Sequence, residues 1–418
     1  MNYLIDVGSS TVKVYQREKS NISLIRAKTF DFKEGFTPVA GLSEENAALL
    51  YSFFDEIIGR FQLTNCNTKI FATGIFRDIA NKQQFVCNFY IKTRLFINIV
   101  SHDLEAFYLE KAWVGCNKSD SALLVINIGG KTTELVWYVG SVVIEKVKLE
   151  VGVGTILKKF KSINESYSPY PISEIIDYIK PQLPSVNHPV DAAIYTGGEL
   201  RYMRIAHYPL TLNTLFSDPL HPVMIDMTKY SAHNEKIYHD ISISDLQAMM
   251  PENPTWMNGA RACSALAQAI CEKYHVSLIV PSDSNLIDGV NIQEARTAVI
   301  CGSFNKHLDK ISELVSNLES RGIAVLSPKN TQVIGSEEGF VLFKNDVIVN
   351  HCTYSVEIPH LQAIEACDMV IICNYNGYIG PKTALEIGYA LKCGKRIVFL
   401  ENNHAVRDLD IPSEIGLL

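Results

Sequence analysis

The sequence lacks several features that would assign it to a common functional class. No run of about 18 apolar residues occurs in its 418 residues, so we expect no transmembrane helix. The start, Met1-Asn-Tyr-Leu, has no basic stretch before an apolar one, so we expect no signal peptide. The net charge is −7, which argues against nucleic acid or an anionic membrane as a partner. Long repeats and low-complexity tracts are also missing.

The cysteines likewise lack a pattern. None of the ten belongs to a Cys-x-x-Cys pair, which argues against a zinc or disulfide framework. Most lie in apolar surroundings, as buried free thiols do, so we expect a reducing cytoplasm. The 47% of hydrophobic and 20% of charged residues are typical of a globular protein, and the length predicts two or three domains.

Two glycine turns each follow a short apolar strand. The run Ala122–Ile126 leads into the turn Asn127–Thr132, and the N-terminal strand leads into the turn Asp6–Ser10. Consecutive amide groups at glycines can bind an anion, and the hydroxyls and lysine of these turns suit phosphate. Either turn alone also fits an ordinary β-hairpin. The pair predicts that two lobes of one domain hold a phosphate between them.

These turns are part of a set that resembles the exopolyphosphatase/guanosine pentaphosphate phosphatase (Ppx/GppA) family. The segment Ala72–Asn81 resembles a family segment with an arginine, here Arg77, and Ser101–Ala106 resembles the segment that holds the catalytic glutamate, here Glu105. Tyr195–Gly198 fits the loop that closes the cleft, and Ile287–Val290 fits the end of the domain. The resemblance covers about residues 1–293 and implies an α/β fold of the actin-like (ASKHA) class, a duplicated ribonuclease-H-like domain.

The resemblance also implies an activity. We expect hydrolysis of a phosphoanhydride bond in polyphosphate or in a guanosine penta- or tetraphosphate, with Glu105 as the base and Mg²⁺ as the metal, held by Asp6 and more weakly by Asn127. The implied phosphate-binding residues are Asp6, Gly8, Ser9, Ser10, Arg77, Asn127, Gly129, Gly130, Lys131, Thr132, Gly197 and Gly198. Two alternatives stay open: a surface ion pair of Arg77 with an acid such as Asp78, and Glu105 as a plain helix-surface acid.

The second turn departs from the family pattern at two positions. Asn127 stands where the family usually has an aspartate, and an amide lacks the charge that Mg²⁺ coordination uses. Lys131 replaces a glycine and adds a positive charge near the phosphates. Either Lys131 takes over part of the metal's role, or the site binds a polyanion without cleaving it.

From Arg296 onward strands and helices alternate, which predicts a small parallel three-layer sheet. The segment Cys367–Leu391 resembles the nucleoside 2-deoxyribosyltransferase-like family and implies a Rossmann-like domain. Glu386 matches the nucleophile that attacks the anomeric carbon of the sugar, and Asp368 matches an earlier carboxylate. The implied nucleotide and sugar ligands are Gly302, Ser303, Phe304, Asn374, Asn376, Gly377 and Thr383.

This C-terminal segment also departs from its family. The usual second acid before the nucleophile has no counterpart, and Ile300-Cys301 replaces a tyrosine that often orients it. Base exchange is therefore not expected, which leaves hydrolysis of an N-glycosidic bond or nucleotide binding alone. A helix-terminal acid favoured by the helix dipole would also explain Glu386.

We expect two actin-like subdomains, 1–118 and 119–293, and a C-terminal domain, 296–418. The leading hypothesis is a phosphoanhydride hydrolase fused to a nucleotide-binding domain, for which cleavage of an N-glycosidic bond is left open. The alternative is a sensor, in which a non-hydrolysing actin-like part binds a phosphorylated signal and regulates the C-terminal domain. A scaffold with two inactive sites is the third hypothesis. The expected ligands are polyphosphate or guanosine polyphosphate and nucleotides, and homodimer formation is left open.

Overall fold

The computed structural model describes residues 3–19, 21–65, 67–114, 121–140, 142–293, 296–329, 331–337, 340–343, 354–401 and 414–415. They form two compact units: a first unit, Met1–Tyr108 with Leu286–Leu418, and a second unit, Leu109–Asn285. The predicted boundary at 118 falls outside the described residues. Within the described ranges, no helix is both long enough and apolar enough to span a membrane.

The N-terminal segment of the first unit contains a five-stranded sheet. Its strands are β1 (Tyr3–Val7), β2 (Thr11–Glu18), β3 (Asn21–Thr29), β4 (Thr68–Ala72) and β5 (Ile97–Ile99). Its helices are α1 (Glu44–Phe61), α2 (Lys82–Thr93) and the first half of α3 (His102–Val114), with a 3₁₀ turn at Gly74–Asp78. The strand order is β3-β2-β1-β4-β5; the first three strands are antiparallel, and β4 and β5 run parallel to β1.

The second unit contains a seven-stranded sheet. Its strands are β6 (Ala122–Ile128), β7 (Thr133–Val139), β8 (Val142–Leu149), β9 (Ala192–Thr196), β10 (Thr211–Leu212), β11 (Val223–Asp226) and β12 (Leu278–Ser282). Its helices are α4 (Val153–Lys159), α5 (Ile172–Ile179), α6 (Glu199–Ile205), α7 (Met227–His239), α8 (Ile243–Ala248) and α9 (Ala260–Lys273).

The two sheets repeat one topology. Strands β6, β7 and β8 form an antiparallel meander, as β1, β2 and β3 do. Strands β9 and β12 follow in parallel beside β6, as β4 and β5 follow beside β1. In both sheets the first strand leads directly into a glycine turn. This repetition confirms the duplicated α/β fold that we expected for the N-terminal part of the chain.

The C-terminal segment of the first unit is built on a parallel sheet. Its elements are α10 (Leu286–Gln293), β13 (Arg296–Gly302), α11 (Phe304–Ser320), β14 (Ile323–Ser327), β15 (Val333–Glu337), β16 (Phe340–Phe343), α12 (Tyr354–Ala366), β17 (Met369–Cys373), α13 (Pro381–Lys392), β18 (Arg396–Phe399) and β19 (Glu414–Ile415). The strand order is β14-β13-β17-β18-β19 with every neighbour parallel. The order therefore reverses on either side of β13, and in open sheets ligands bind beyond the carboxyl ends of the strands at such a point.

The two segments of the first unit share an apolar core. One cluster of buried side chains includes Ile70 and Ile97 from the first sheet and Val299 and Ile372 from the C-terminal sheet. Polar contacts reinforce this packing, since the Tyr108 hydroxyl donates to the carbonyl of Gly322 at 2.7 Å. The C-terminal sheet is thus packed against the N-terminal sheet within one body.

A buried arginine organises the helices of the second unit. Arg261 on α9 is fully buried, and it donates hydrogen bonds of 2.7 to 3.1 Å to five main-chain carbonyls. Those carbonyls belong to Ile163, Glu165, Ser166, Ile237 and Ile241. The guanidinium therefore donates hydrogen bonds to two stretches of main chain, 163–166 and 237–241. Without it, their buried carbonyls would lack these donors.

We predict that Arg261→Met lowers the free energy of unfolding of the second unit by about 3 kcal/mol, because several buried carbonyls lose their donors. Urea unfolding followed by circular dichroism measures the change. The control is Arg204→Met on α6, which removes an exposed guanidinium. Equal stability of the two variants would show that the buried hydrogen bonds contribute little.

Candidate functional site

The first glycine turn, Gly8–Ser10, connects β1 to β2 and packs on the 3₁₀ turn. The Ser9 hydroxyl accepts a hydrogen bond from the amide of Ile75 at 3.1 Å. Gly74 has a φ of 62°, and a Cβ at this position would overlap the Ser9 hydroxyl. Glycine is therefore required at position 74, and the close packing fixes Arg77 beside the predicted phosphate turn.

Arg77 and Glu105, which sequence analysis selected separately, form an ion pair through Nη1 and Oε2. Their side chains are only 15% and 24% exposed. Arg77 therefore pairs with an acid, as the alternative allowed, but this acid is Glu105 and the pair is mostly shielded from solvent. Glu105 is not a fully solvated acid on α3. The pair places a guanidinium and a carboxylate side by side in the first unit.

Asp6 lies on β1 near this ion pair. Burial raises the pKa of Asp6 to about 6, the positive charge of Lys13 opposes the shift, and the negative charge of Glu105 adds to it. The carboxyl groups of Asp6 and Glu105 are thus close enough to repel each other. A cation beside Asp6 would relieve this repulsion.

The second glycine turn is held by its own backbone in the second unit. The amide of Gly129 donates to the carbonyl of Thr132 at 2.8 Å. The carbonyls of Gly129 and Gly130 accept from the amides of Val153 and Gly154 at 3.0 and 2.8 Å. These hydrogen bonds from the start of α4 therefore hold the turn in place.

The remaining predicted phosphate ligands of the second unit lie near this turn. Gly197 and Gly198 have φ values of 118° and 101°, which only glycine adopts easily. The Asn127 side-chain oxygen would lie 3.9 Å from a Cβ at Gly197, so the two loops are neighbours. Lys131 is exposed. That the loops of both units hold one phosphate stays a prediction of the sequence.

Glu199 is a candidate that sequence analysis did not select. It follows the glycine pair directly and lines a cavity of about 270 Å³ together with Gly129, Gly130 and Trp256. Burial raises its pKa to about 8, although a hydrogen bond with Tyr195 opposes the shift. Within the described residues, its Oε2 has no hydrogen-bond partner. The signal in the sequence was an acid directly after a strand and two glycines.

The C-terminal sheet carries a cavity of about 370 Å³ beyond the ends of β13 and β14. The N-terminus of α13 forms its opposite wall. Five of the residues predicted from the sequence line it: Gly302, Ser303, Phe304, Thr383 and Glu386. The structure therefore brings together the first strand-end loop and the start of α13, as the nucleotide-binding hypothesis requires.

Glu386 is buried in this cavity, with 6% of its surface exposed. Burial raises its pKa to about 8, the charge of Glu357 adds to the shift, and Cys301 and Lys382 oppose it. No described residue bonds its Oε2. Glu386 lies beyond the first turn of α13, so the interpretation as a solvated helix-terminal acid is wrong.

Two neighbours of Glu386 were not predicted as site residues. His360 Nε2 lies 3.5 Å from Glu386 Oε1 and 3.5 Å from Cys301 Sγ, and its Nδ1 lies 2.7 Å from the Ser327 hydroxyl. Burial lowers the pKa of His360 to about 4, so the ring is neutral. His360 lies on α12, far from Glu386 in the chain, and no local pattern marks it.

The prediction that Asp368 acts beside Glu386 needs correction. Asp368 precedes β17, whereas Glu386 lies beyond its other end, and a five-residue strand separates the two ends by about 15 Å. Asp368 accepts from the amide and hydroxyl of Thr297 at 2.8 and 2.9 Å and pairs with Lys69. Its role in the structure is to join the two sheets of the first unit.

Three predicted ligands in the loop after β17 also fall outside the cavity lining. Asn374 and the main chain of Glu401 exchange hydrogen bonds of 2.7 and 3.0 Å. The amide of Asn376 donates to the Glu401 carboxylate at 2.8 Å. Gly377 continues this turn with a φ of 74°. These residues anchor the loop to the end of β18, while Tyr378 and Gly380 reach the cavity.

Residues 9–215 match the model of the Ppx/GppA phosphatase family. The fold is similar to that of the type II variant of the Aquifex aeolicus Ppx/GppA phosphatase, with a TM-score of 0.57, 19% identity and coverage of 70% of this chain and 98% of that one. An exopolyphosphatase from Cytophaga hutchinsonii has a TM-score of 0.51, 13% identity and coverage of 69% and 95%. At these identities the two structures show a shared fold.

One curated relative is 30% identical over 117 residues, the bifunctional 3-dehydroquinate synthase/phosphatase of Fusobacterium nucleatum. The match covers 28% of this chain and 18% of that protein. This chain therefore spans less than a fifth of that relative.

The pKa of Glu199 predicts a pH dependence of stability. Between its ordinary pKa of 4.5 and its raised pKa of about 8, the unfolded chain releases a proton that the folded chain retains. The free energy of unfolding should therefore fall as pH rises from 5 to 8, by on the order of 3 kcal/mol from this group.

The test compares wild type with Glu199→Gln by chemical unfolding at several pH values. The variant should lose this part of the pH dependence. Glu174→Gln on α5, which removes an exposed carboxylate, is the control and should keep the wild-type slope. A Glu199→Gln variant with the wild-type slope would contradict the prediction.

Proposed function

We propose that this chain, which matches the Ppx/GppA phosphatase family over residues 9–215, hydrolyses phosphoanhydride bonds in polyphosphate or in guanosine penta- or tetraphosphate. The observation that supports this most directly is the Arg77–Glu105 ion pair beside the turn Gly8–Ser10. The pair combines a guanidinium group, which can donate two hydrogen bonds to phosphate oxygens, with a carboxylate that can act as a base.

The chemistry assigns one role to each group. Glu105 accepts a proton from a water molecule, whose oxygen attacks the terminal phosphorus. The bond from phosphorus to the bridging oxygen breaks, and the products are orthophosphate and a shortened phosphate chain. Arg77 and the backbone amides of Gly8–Ser10 stabilise the negative charge on the phosphoryl oxygens. The pairing with Arg77 keeps Glu105 oriented before substrate arrives.

Asp6 fits a divalent metal in this unit. Its carboxyl group is desolvated and lies near the charge of Glu105, so a cation beside it is electrostatically favoured. Carboxylate oxygens are the ligands that Mg²⁺ prefers. When bound, Mg²⁺ would neutralise charge on the phosphate oxygens. Asn127, the other ligand predicted from the sequence, lies in the second unit and stays a prediction.

The free thiols support a reducing compartment. All seven cysteines in the described part of the chain are free. We therefore propose a cytoplasmic location for the enzyme.

Glu105→Gln should lower phosphate release from polyphosphate and from pppGpp by at least 100-fold, because the amide cannot accept the water's proton. Phosphate release with Mg²⁺ measures this for the full chain. The control is Glu56→Gln on α1, a carboxylate that pairs with Arg26 away from the glycine turns. If wild type and Glu105→Gln are equally inactive on both substrates, the hydrolase proposal fails.

A sensor is the second candidate function, and two observations favour it. Asn127 replaces a charged ligand, which weakens metal-assisted cleavage while keeping hydrogen bonds. The C-terminal sheet shares its core with the first sheet, so a ligand-driven change in one can reach the other. A sensor binds polyphosphate or pppGpp without turnover, which calorimetry on the same samples distinguishes from hydrolysis.

For the C-terminal cavity we propose nucleotide binding and cleavage of the N-glycosidic bond. The Glu386 carboxylate attacks the anomeric carbon, the bond to the base breaks, and water then hydrolyses the glycosyl ester. Burial raises the pKa of Glu386 to about 8, so the attacking carboxylate forms as pH rises toward 8. The charge of Lys382, which lines the cavity, opposes part of this shift. The geometry that supports this is the free Oε2 of Glu386, which no described residue bonds.

Glu386→Gln should abolish release of free base from nucleoside 5′-monophosphates, because an amide is not a nucleophile here. Chromatography of the products from a panel of nucleotides measures it. Glu313→Gln on α11, an exposed position, is the matched control. Base release that survives in Glu386→Gln would exclude Glu386 as the nucleophile, and nucleotide binding without base release in wild type would leave binding as the function.

A further inference from the structure

We propose that Cys301, His360 and Glu386 form a zinc site at the base of the C-terminal cavity. One ligand atom from each of these residues lies within 4.8 Å of the others. The three residues lie on three regular elements, β13, α12 and α13, so the protein fold rather than a loop sets their positions.

The separation of His360 from Glu386 fits metal ligands better than a hydrogen bond, and the separation of His360 from Cys301 fits both. The distance from His360 Nε2 to Glu386 Oε1 is 3.5 Å, which is long for an N–H···O hydrogen bond. Around a tetrahedral zinc ion with ordinary bond lengths, nitrogen and oxygen ligands lie ~3.4 Å apart, and nitrogen and sulfur ligands ~3.6 Å apart. The observed distance of 3.5 Å from His360 Nε2 to Cys301 Sγ agrees with the latter.

The surroundings support the same assignment. The Ser327 hydroxyl lies 2.7 Å from His360 Nδ1, which is the outer hydrogen bond that orients a metal-binding imidazole. A thiolate, a carboxylate and a neutral imidazole balance the two charges of Zn²⁺, so the occupied site would be neutral in a buried environment. A thiolate and an imidazole favour zinc over magnesium or calcium.

Three protein ligands leave one zinc position for a molecule in the cavity. Such open sites are typical of zinc that acts on a bound ligand. The zinc site does not depend on the proposed glycosidic reaction, and the two compete for Glu386. A carboxylate that coordinates zinc cannot attack a sugar, so bound zinc should inhibit base release.

The test is metal titration of the full chain after treatment with a chelator. Wild type should bind one equivalent of Co²⁺ with a thiolate-to-cobalt charge-transfer band, and Zn²⁺ should displace it. Cys301→Ser should lose the band, and His360→Gln should weaken binding at least 100-fold. Ser327→Ala should weaken zinc binding by about 10-fold, because it removes only the outer hydrogen bond.

The control is Cys373→Ser, which removes a buried thiol of the same sheet outside the trio and should keep the band. If wild type binds no stoichiometric Co²⁺ or Zn²⁺, the zinc site is excluded whatever the variants do. Equal binding by wild type and Cys301→Ser would also exclude it. Base release is measured on the same samples, so that a failure of the zinc site can be distinguished from a failure of the proposed glycosidic reaction.

Discussion

The shared apolar core of the first unit is the constraint on which its two candidate sites depend. Side chains of β4 and β5 pack with those of β13 and β17 in one cluster, and Lys69 pairs with Asp368 across it. Separating the sheets would expose apolar surface at a cost of about 25 cal/mol per Å². The C-terminal segment of the first unit is therefore packed against the N-terminal sheet and is not joined to it by a linker alone. The Arg77–Glu105 pair and the cavity around Glu386 belong to one packed body.

A second feature shared by the candidate sites is a desolvated carboxyl group, which lowers the stability of the fold. Asp6, Glu199 and Glu386 are all desolvated, and the pKa of each is raised by burial. A carboxyl group kept out of water without a full set of partners lowers stability, and such groups concentrate at functional sites. Each of the three lies next to a glycine turn or a cavity, where a bound ligand can supply the hydrogen bonds or the positive charge that the carboxyl group lacks. The two cavity carboxylates, Glu199 and Glu386, also each have an oxygen that no described residue bonds.

Local sequence patterns predicted the structural features that are determined by residues close together in the chain. The glycine turns and the strand that precedes each of them were accessible because their signals span a few residues. Arg77 and Glu105 were selected through the resemblance to the Ppx/GppA family. The pairing of Arg77 with Glu105 needed the fold, since 28 positions separate them. Asp368 shows the same limit more strongly, because its partner Lys69 is 299 positions away. His360 and Cys301 were missed as site residues because nothing local distinguishes them from other buried residues.

The environment of Glu386 shows why a family resemblance alone does not determine chemistry. The tyrosine that often orients the nucleophile is absent, and Cys301 stands in the strand where it would be. A tyrosine at that place would donate a hydrogen bond to the carboxylate, whereas a thiol beside His360 provides a soft donor pair. Under the two proposals made above, this one side chain separates a surrounding suited to an oriented nucleophile from one suited to a metal. Because the carboxylate cannot serve both purposes at once, the two proposals for Glu386 exclude each other in any one molecule, and bound zinc would rule out nucleophilic attack.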